Sequence, residues 1–85
     1  MEVVIITPER ELFRGAATLV SFRAEKGDME IMPGHAPLLV TLSKGDLRLE
    51  SDRGNIEYKI LSGFAEVHND EATLLVRESV SEEEE

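Results

Sequence analysis

The two histidines are the residues of this 85-residue chain whose chemistry is considered first. His35 and His68 stand far apart in the sequence, and no cysteine accompanies them. A structural zinc site takes four nitrogen or sulfur ligands and a catalytic site about three, so the sequence predicts no metal site. We expect His35 to bond locally or to meet a partner, and His68 to lie in a solvent-exposed turn.

Three short segments contain some of the residue types of ligand-binding or catalytic motifs, but not in the order that those motifs require. Residues 27–30 lack the D-x-[DN]-x-[DN]-G ladder of a calcium loop. Residues 43–45 lack the G-x-x-x-x-G-K order of a phosphate loop and the helix that follows it. Residues 61–63 do not form a G-x-S-x-G nucleophile elbow. The sequence therefore predicts no catalytic residue and no cofactor, and an enzyme has no supporting motif.

A conformationally restricted segment stands at residues 31–39, between two apolar stretches. It holds Pro33, Gly34, His35 and Pro37 within five positions. Proline fixes φ and lacks a backbone donor, whereas glycine opens positive φ. We therefore predict a stiff, shaped loop that presents a surface, with His35 as its central polar group.

The elements that must hold this loop are predicted to be strands. Val20, Phe22 and Ala24 alternate with Ser21 and Arg23, which is the period of a half-buried strand. Similar short segments recur with turn signals every ~8–12 residues, and no window favours an amphipathic helix. The sequence predicts an all-β sandwich or barrel over residues 1–78, followed by a disordered acidic tail over residues 79–85.

Charge and hydropathy exclude several partners. The net charge is −9, from 9 basic and 18 acidic residues, whereas nucleic-acid binding calls for a basic footprint. The same sign argues against adsorption to anionic lipid. No apolar run approaches the ~18–20 residues of a membrane span, so we expect no membrane insertion.

Several segments in order resemble one protein family. These are residues 7–15, residues 27–39 with their proline-glycine-histidine-alanine-proline run, residues 45–49, residues 62–67 and residues 72–75. Together they are similar to the epsilon subunit of bacterial and chloroplast rotary ATP synthases. The resemblance implies that family's N-terminal domain, a ten-stranded β-sandwich of two sheets.

The resemblance also implies a role and its contact residues. The role is that of a non-catalytic central-stalk rotor subunit of a proton-driven ATP synthase, peripheral on the cytoplasmic or stromal face of the membrane. It links the gamma subunit to the c ring, while catalysis belongs to the beta subunits. The implied gamma-subunit interface comprises Gly34, His35, Ala36, Pro37, Ser62 and Gly63. The implied c-ring interface comprises Lys26, Gly27, Asp28 and Glu30.

Two departures from the family pattern accompany the resemblance. The family usually has glycine where Glu30 stands and a glycine pair where Ser62 and Gly63 stand. It also commonly continues into a C-terminal pair of helices, for which the sequence up to Glu85 has no helical pattern. A natural short form and one domain of a longer protein both stay open. The alternative function is a small β-sandwich binding module for a peptide or soluble ligand at the loop around His35.

Overall fold

Residues 1–79, the part that this computed structural model describes, form strands joined by turns and loops and contain no helix. No membrane-spanning helix therefore occurs within those residues. The seven strands are β1 (Glu2–Ile6), β2 (Glu11–Ala24), β3 (Gly27–Ile31), β4 (Leu38–Leu42), β5 (Gly45–Ser51), β6 (Gly54–His68) and β7 (Glu71–Glu78). The all-β prediction is confirmed.

Two long strands, β2 and β6, connect the two layers of the fold. The first half of β2 pairs with β1, and its second half pairs with β3 and β5. The first half of β6 pairs with β5, and its second half pairs with β4 and β7. The pairing register shifts between Ala17 and Leu19 in β2 and between Ile60 and Ser62 in β6. Such bulges bend a strand without ending it, so each long strand serves both layers.

The number of strands differs from the ten that the resemblance implies. Residues 11–15 and 19–24, expected as separate pieces, belong to the single 14-residue strand β2. Residues 56–60 and 64–67 likewise belong to the 15-residue strand β6. Because pairing continues across each bulge, β2 and β6 each count as one strand, which accounts for two of the three strands in the difference.

The core lies between the layers and follows the period-2 pattern of the strands. In β7, Ala72, Leu74 and Val76 are buried while the residues between them are exposed. Burying an aliphatic side chain of this kind contributes roughly 1.5–3 kcal/mol. The largest fully buried side chains come from all seven strands: Ile5, Ile31, Leu42, Leu47, Leu49, Ile60 and Leu74, with Val3, Val20 and Val76.

The predicted acidic tail falls almost wholly on residues outside the described range. Of residues 79–85, only Ser79 is described, and its backbone N–H donates to the carbonyl of Lys59 at 2.9 Å. The disorder of the tail, and its boundary with the sandwich at residue 78, stay predictions.

Candidate protein-binding surfaces

The loop between β3 and β4 is built on a tight turn. The backbone N–H of His35 donates to the carbonyl of Met32 at 3.1 Å. Pro33 and Gly34 occupy the two central positions, and Gly34 has φ of 86°. A type II turn places proline first and requires positive φ at the second position, where glycine carries no steric penalty. The loop therefore has the restricted shape that its sequence predicts.

The imidazole of His35 is oriented by its own loop. Its Nδ1 lies 2.7 Å from the carbonyl oxygen of Ala36. Because a carbonyl oxygen only accepts, Nδ1 carries the hydrogen in this bond. Nε2 is then the ring nitrogen that stays available to a partner. His35 is half-buried, whereas Gly34, Ala36 and Pro37 are exposed.

A second turn ties this loop to the rest of the protein. Asp70, in the β6–β7 turn, accepts the backbone N–H of Gly34 with its Oδ1 at 3.0 Å. Its own carbonyl accepts the backbone N–H of Glu2 at 3.2 Å. Sequence reasoning missed this residue. The Asn-Asp pair signalled a turn, but nothing local indicated that the turn meets a glycine 36 positions earlier in the chain.

The predicted gamma-interface residues do not form one contiguous cluster. The loop enters β4 at Leu38, which pairs with Val67, whereas Gly63 pairs with Leu42 at the opposite end of that strand. A strand rises about 3.3 Å per residue, so the loop and the Ser62–Gly63 pair lie roughly 13 Å apart or more. Any surface that includes both must extend along β4.

Gly63 has a packing requirement that its neighbour lacks. A Cβ at this position would lie 2.5 Å from the carbonyl oxygen of Leu75 and 3.0 Å from Cγ1 of Val76. The first distance is too short for any real contact, so β6 and β7 approach here only because residue 63 is glycine. Ser62 is exposed and can contact a partner.

An exposed apolar face connects these two ends. We use this term for Leu39, Phe64 and Leu75, which are exposed to 73%, 55% and 44%. Phe64 pairs directly with Leu75, and Leu39 lies one diagonal step away on β4. An apolar groove of about 330 Å³ runs beside Phe64 and Leu75, and Pro8, Ser62 and Arg77 also line it. Contiguous exposed apolar surface of this kind marks an interaction site.

The sequence carried a signal for this face that the strand assignment did not use. Leu38-Leu39-Val40 and Leu74-Leu75-Val76 are apolar on both faces of their strands. A strand with one face in water normally alternates with polar residues. The apolar residues at positions 39 and 75 could therefore have been singled out.

The predicted c-ring residues are spread along β3, with three of them at the end far from the loop and Glu30 near the loop end. Lys26, Gly27 and Asp28 are at or beside the β2–β3 turn, and Glu30 lies within β3; all four are exposed. Asp28 Oδ1 is 3.6 Å from Nε of Arg23. The turn therefore presents mixed charge and is less acidic than its sequence indicates.

The outer surface of the layer formed by β3, β2, β5 and the first half of β6 is charged. Cross-strand ion pairs join Arg48 to Glu57 at 3.8 Å and Lys59 to Asp46 at 2.9 Å. The hydrogen bond and charge of Asp46 raise the pKa of Lys59. Exposed pairs of this kind are screened by solvent and contribute little to stability. The outer surface of this layer is thus charged, whereas the outer surface of the other layer includes the exposed apolar face.

Neither histidine belongs to a metal cluster within the described residues. Residues 1–79 hold no group of three or more histidine, cysteine, aspartate or glutamate side chains that could bind a metal ion. His68 is exposed at the end of β6 and pairs with Glu71.

Comparison with known proteins identifies the family. The family model described as the ATP synthase delta/epsilon chain β-sandwich domain matches residues 1–82. The chain belongs to this family. The resemblance to the ATP synthase epsilon subunit is confirmed, and so is the β-sandwich architecture.

Three relatives within the delta/epsilon family are each named ATP synthase epsilon chain. The chain is 37% identical to the ATP synthase epsilon chain of Rhodobacter capsulatus, over 95% of this chain and 61% of the relative. It is 41% identical to that of Synechococcus elongatus, over 89% and 56%. It is 36% identical to that of Bacillus subtilis, over 91% and 58%. The chain thus spans about three fifths of the length of these epsilon chains.

Solved structures support the fold. A chain in the central stalk and c-ring structure of Tetrahymena thermophila mitochondrial ATP synthase matches with a TM-score of 0.80 at 19% identity, covering 92% of this chain and 63% of that one. A chain in the Euglena gracilis mitochondrial ATP synthase matches with a TM-score of 0.82 at 22% identity, covering 92% and 51%. At these identities the likeness concerns the delta/epsilon sandwich fold alone.

Proposed function

We propose that this chain is a non-catalytic rotor subunit of a proton-driven ATP synthase, where it joins the gamma subunit to the membrane c ring. The family match over residues 1–82 carries the proposal, because it spans nearly the whole chain. The relatives named epsilon chain support it. In this role the protein lies against the membrane on the side of the catalytic head, and the catalytic chemistry belongs to other subunits.

The apolar face, with the loop at one end and Ser62 at the other, is the proposed docking surface for gamma. Protein interfaces place apolar and aromatic side chains at the centre and polar groups at the rim. Phe64 and Leu75 supply such a centre, and Nε2 of His35 supplies a polar rim group. The loop is rigid before binding, so little conformational entropy opposes association.

The turn at residues 26–28, together with Glu30, is the proposed contact with the polar loops of the c ring. Residues 26–28 lie at the far end of β3 from the gamma-facing loop, whereas Glu30 lies near the loop end of that strand, so the proposed ring contact runs along β3. Since its charges are exposed and of both signs, we expect the contact to be individually weak and salt-sensitive.

The proposal is tested by binding to the gamma subunit from the same organism. We expect a one-to-one complex by size exclusion and calorimetry. His35→Ala should raise the Kd by about 5- to 30-fold, the cost of losing a well-placed interface group worth about 1–2 kcal/mol, while the melting temperature stays nearly constant.

Arg48→Ala is the control, because Arg48 is exposed on the charged outer surface of the other layer, away from the proposed interface. It should change neither binding nor melting. Failure of the unaltered chain to bind gamma contradicts the proposal. If the chain does not bind gamma but binds an apolar peptide in the groove, the alternative function of a small binding module is supported instead.

A further inference from the structure

The β6–β7 turn has an unusual backbone at two consecutive residues. Asn69 has φ of 53° and Asp70 has φ of 60°, both in the left-handed region. Asparagine and aspartate are the non-glycine residues that tolerate this conformation best. Strands on both sides continue the pairing to within one residue, from His68 to Glu71. The turn therefore fixes the backbone of Asp70 and the direction of its Cα–Cβ bond.

The carboxylate of Asp70 reaches across to the gamma-facing loop. Its Oδ1 accepts the Gly34 N–H at 3.0 Å. Within residues 1–79, this is the one hydrogen bond that connects residues 32–37 to a distant part of the chain. The other two bonds of the loop, from His35 to Met32 and to Ala36, are internal to it. Internal bonds set the shape of the turn, whereas the bond to Asp70 sets its position on the sandwich.

We propose that Asp70 is a positioning residue for the gamma contact: it fixes the type II turn and thereby the place of His35. This inference rests on the proposed function. Asp70 itself need not touch the partner, because it acts through Gly34 and the turn.

Two substitutions at Asp70 separate its tether from its backbone role. Asp70→Gly tolerates positive φ and removes the acceptor. Asp70→Asn also tolerates positive φ and keeps an acceptor oxygen. Asn69→Gly is the matched control, since it alters the neighbouring left-handed residue, whose side chain makes no hydrogen bond within residues 1–79. Each variant of the 85-residue chain is measured for Gly34 amide exchange by NMR, for gamma affinity by calorimetry, and for melting temperature.

The expected result is selective. A hydrogen bond worth about 0.5–1.5 kcal/mol corresponds to about a two- to tenfold effect. Asp70→Gly should accelerate Gly34 exchange and raise the gamma Kd, each about two- to tenfold, while Asp70→Asn and Asn69→Gly stay within about twofold of the unaltered chain. The melting temperature should not follow the loss of affinity across the three variants.

Three outcomes overturn the inference. Unchanged Gly34 exchange in Asp70→Gly means that Asp70 does not hold the loop. Faster exchange with unchanged gamma affinity means that it holds the loop but not for this partner. Loss of affinity equally in Asn69→Gly means that the turn matters and the tether does not. If the unaltered chain fails to bind gamma, the proposed function itself fails, and the exchange data still report separately on the tether.

Discussion

Leu39→Thr is the change that tests the apolar face most directly. Leu39 lies on β4 and is 73% exposed, so only about a quarter of its surface contributes to folding. Full burial of a leucine side chain is worth about 1.5–3 kcal/mol. The buried quarter of the side chain therefore contributes about 0.4–0.8 kcal/mol to the free energy of folding. The exposed remainder contributes up to about 1–2 kcal/mol to the binding of a partner that covers it. Threonine keeps the strand preference and removes most of the apolar area.

The assay compares gamma binding with thermal unfolding. Leu39→Thr should raise the gamma Kd by about 5- to 30-fold and lower the melting temperature by only about 2–6 °C. Val40→Thr is the matched control, because Val40 is the next residue on β4 and packs against the core. Val40 is partly buried, and its new hydroxyl replaces a methyl group that packs against the core, so stability should fall with little change in affinity. An unchanged gamma Kd in Leu39→Thr would refute the placement of gamma on this face.

Three further predictions concern packing, pH and coupling. Gly63→Ala should lower the melting temperature by about 5–20 °C through overpacking, whereas Ser62→Ala next to it should not; equal stability of the two would contradict the packing requirement. Burial raises the pKa of Tyr58 above its ordinary 10.0, so its stabilising contribution is complete below pH 10 and is lost as pH rises through the folded pKa. In denaturant titrations, the free energy of unfolding should therefore fall less steeply with rising pH above 10 in Tyr58→Phe than in the unaltered chain. An equal fall in both proteins would exclude Tyr58 as the cause. Asp28→Lys with Glu30→Lys should leave folding and gamma binding intact but impair ion-driven ATP synthesis in reconstituted vesicles at low salt more than Asp28→Asn with Glu30→Gln does; full synthesis would show that this turn does not face the ring.

The sequence by itself determined the elements and the family. Alternation and turn residues are local properties, and the alternating residues Val20, Phe22 and Ala24 are all buried in β2, as their pattern predicts. The Pro-Gly pair required a turn with positive φ at Gly34, and its φ of 86° agrees. The ordered motifs sufficed for the resemblance to the epsilon subunit. Each of these features depends on residues close together in the chain, so the sequence carries it directly.

Only the tertiary structure decided which surfaces those elements expose. A period of two says which residues share a face, but not whether another layer covers that face. Leu38 and Leu39 are adjacent leucines in different environments, since Leu38 packs against the core whereas Leu39 is 73% exposed. Asp70 meets Gly34 because β6 and β7 return the chain to the loop, a contact that no local pattern encodes. The bulges in β2 and β6, across which each long strand continues from one layer to the other, likewise arise from pairing with neighbours on both sides.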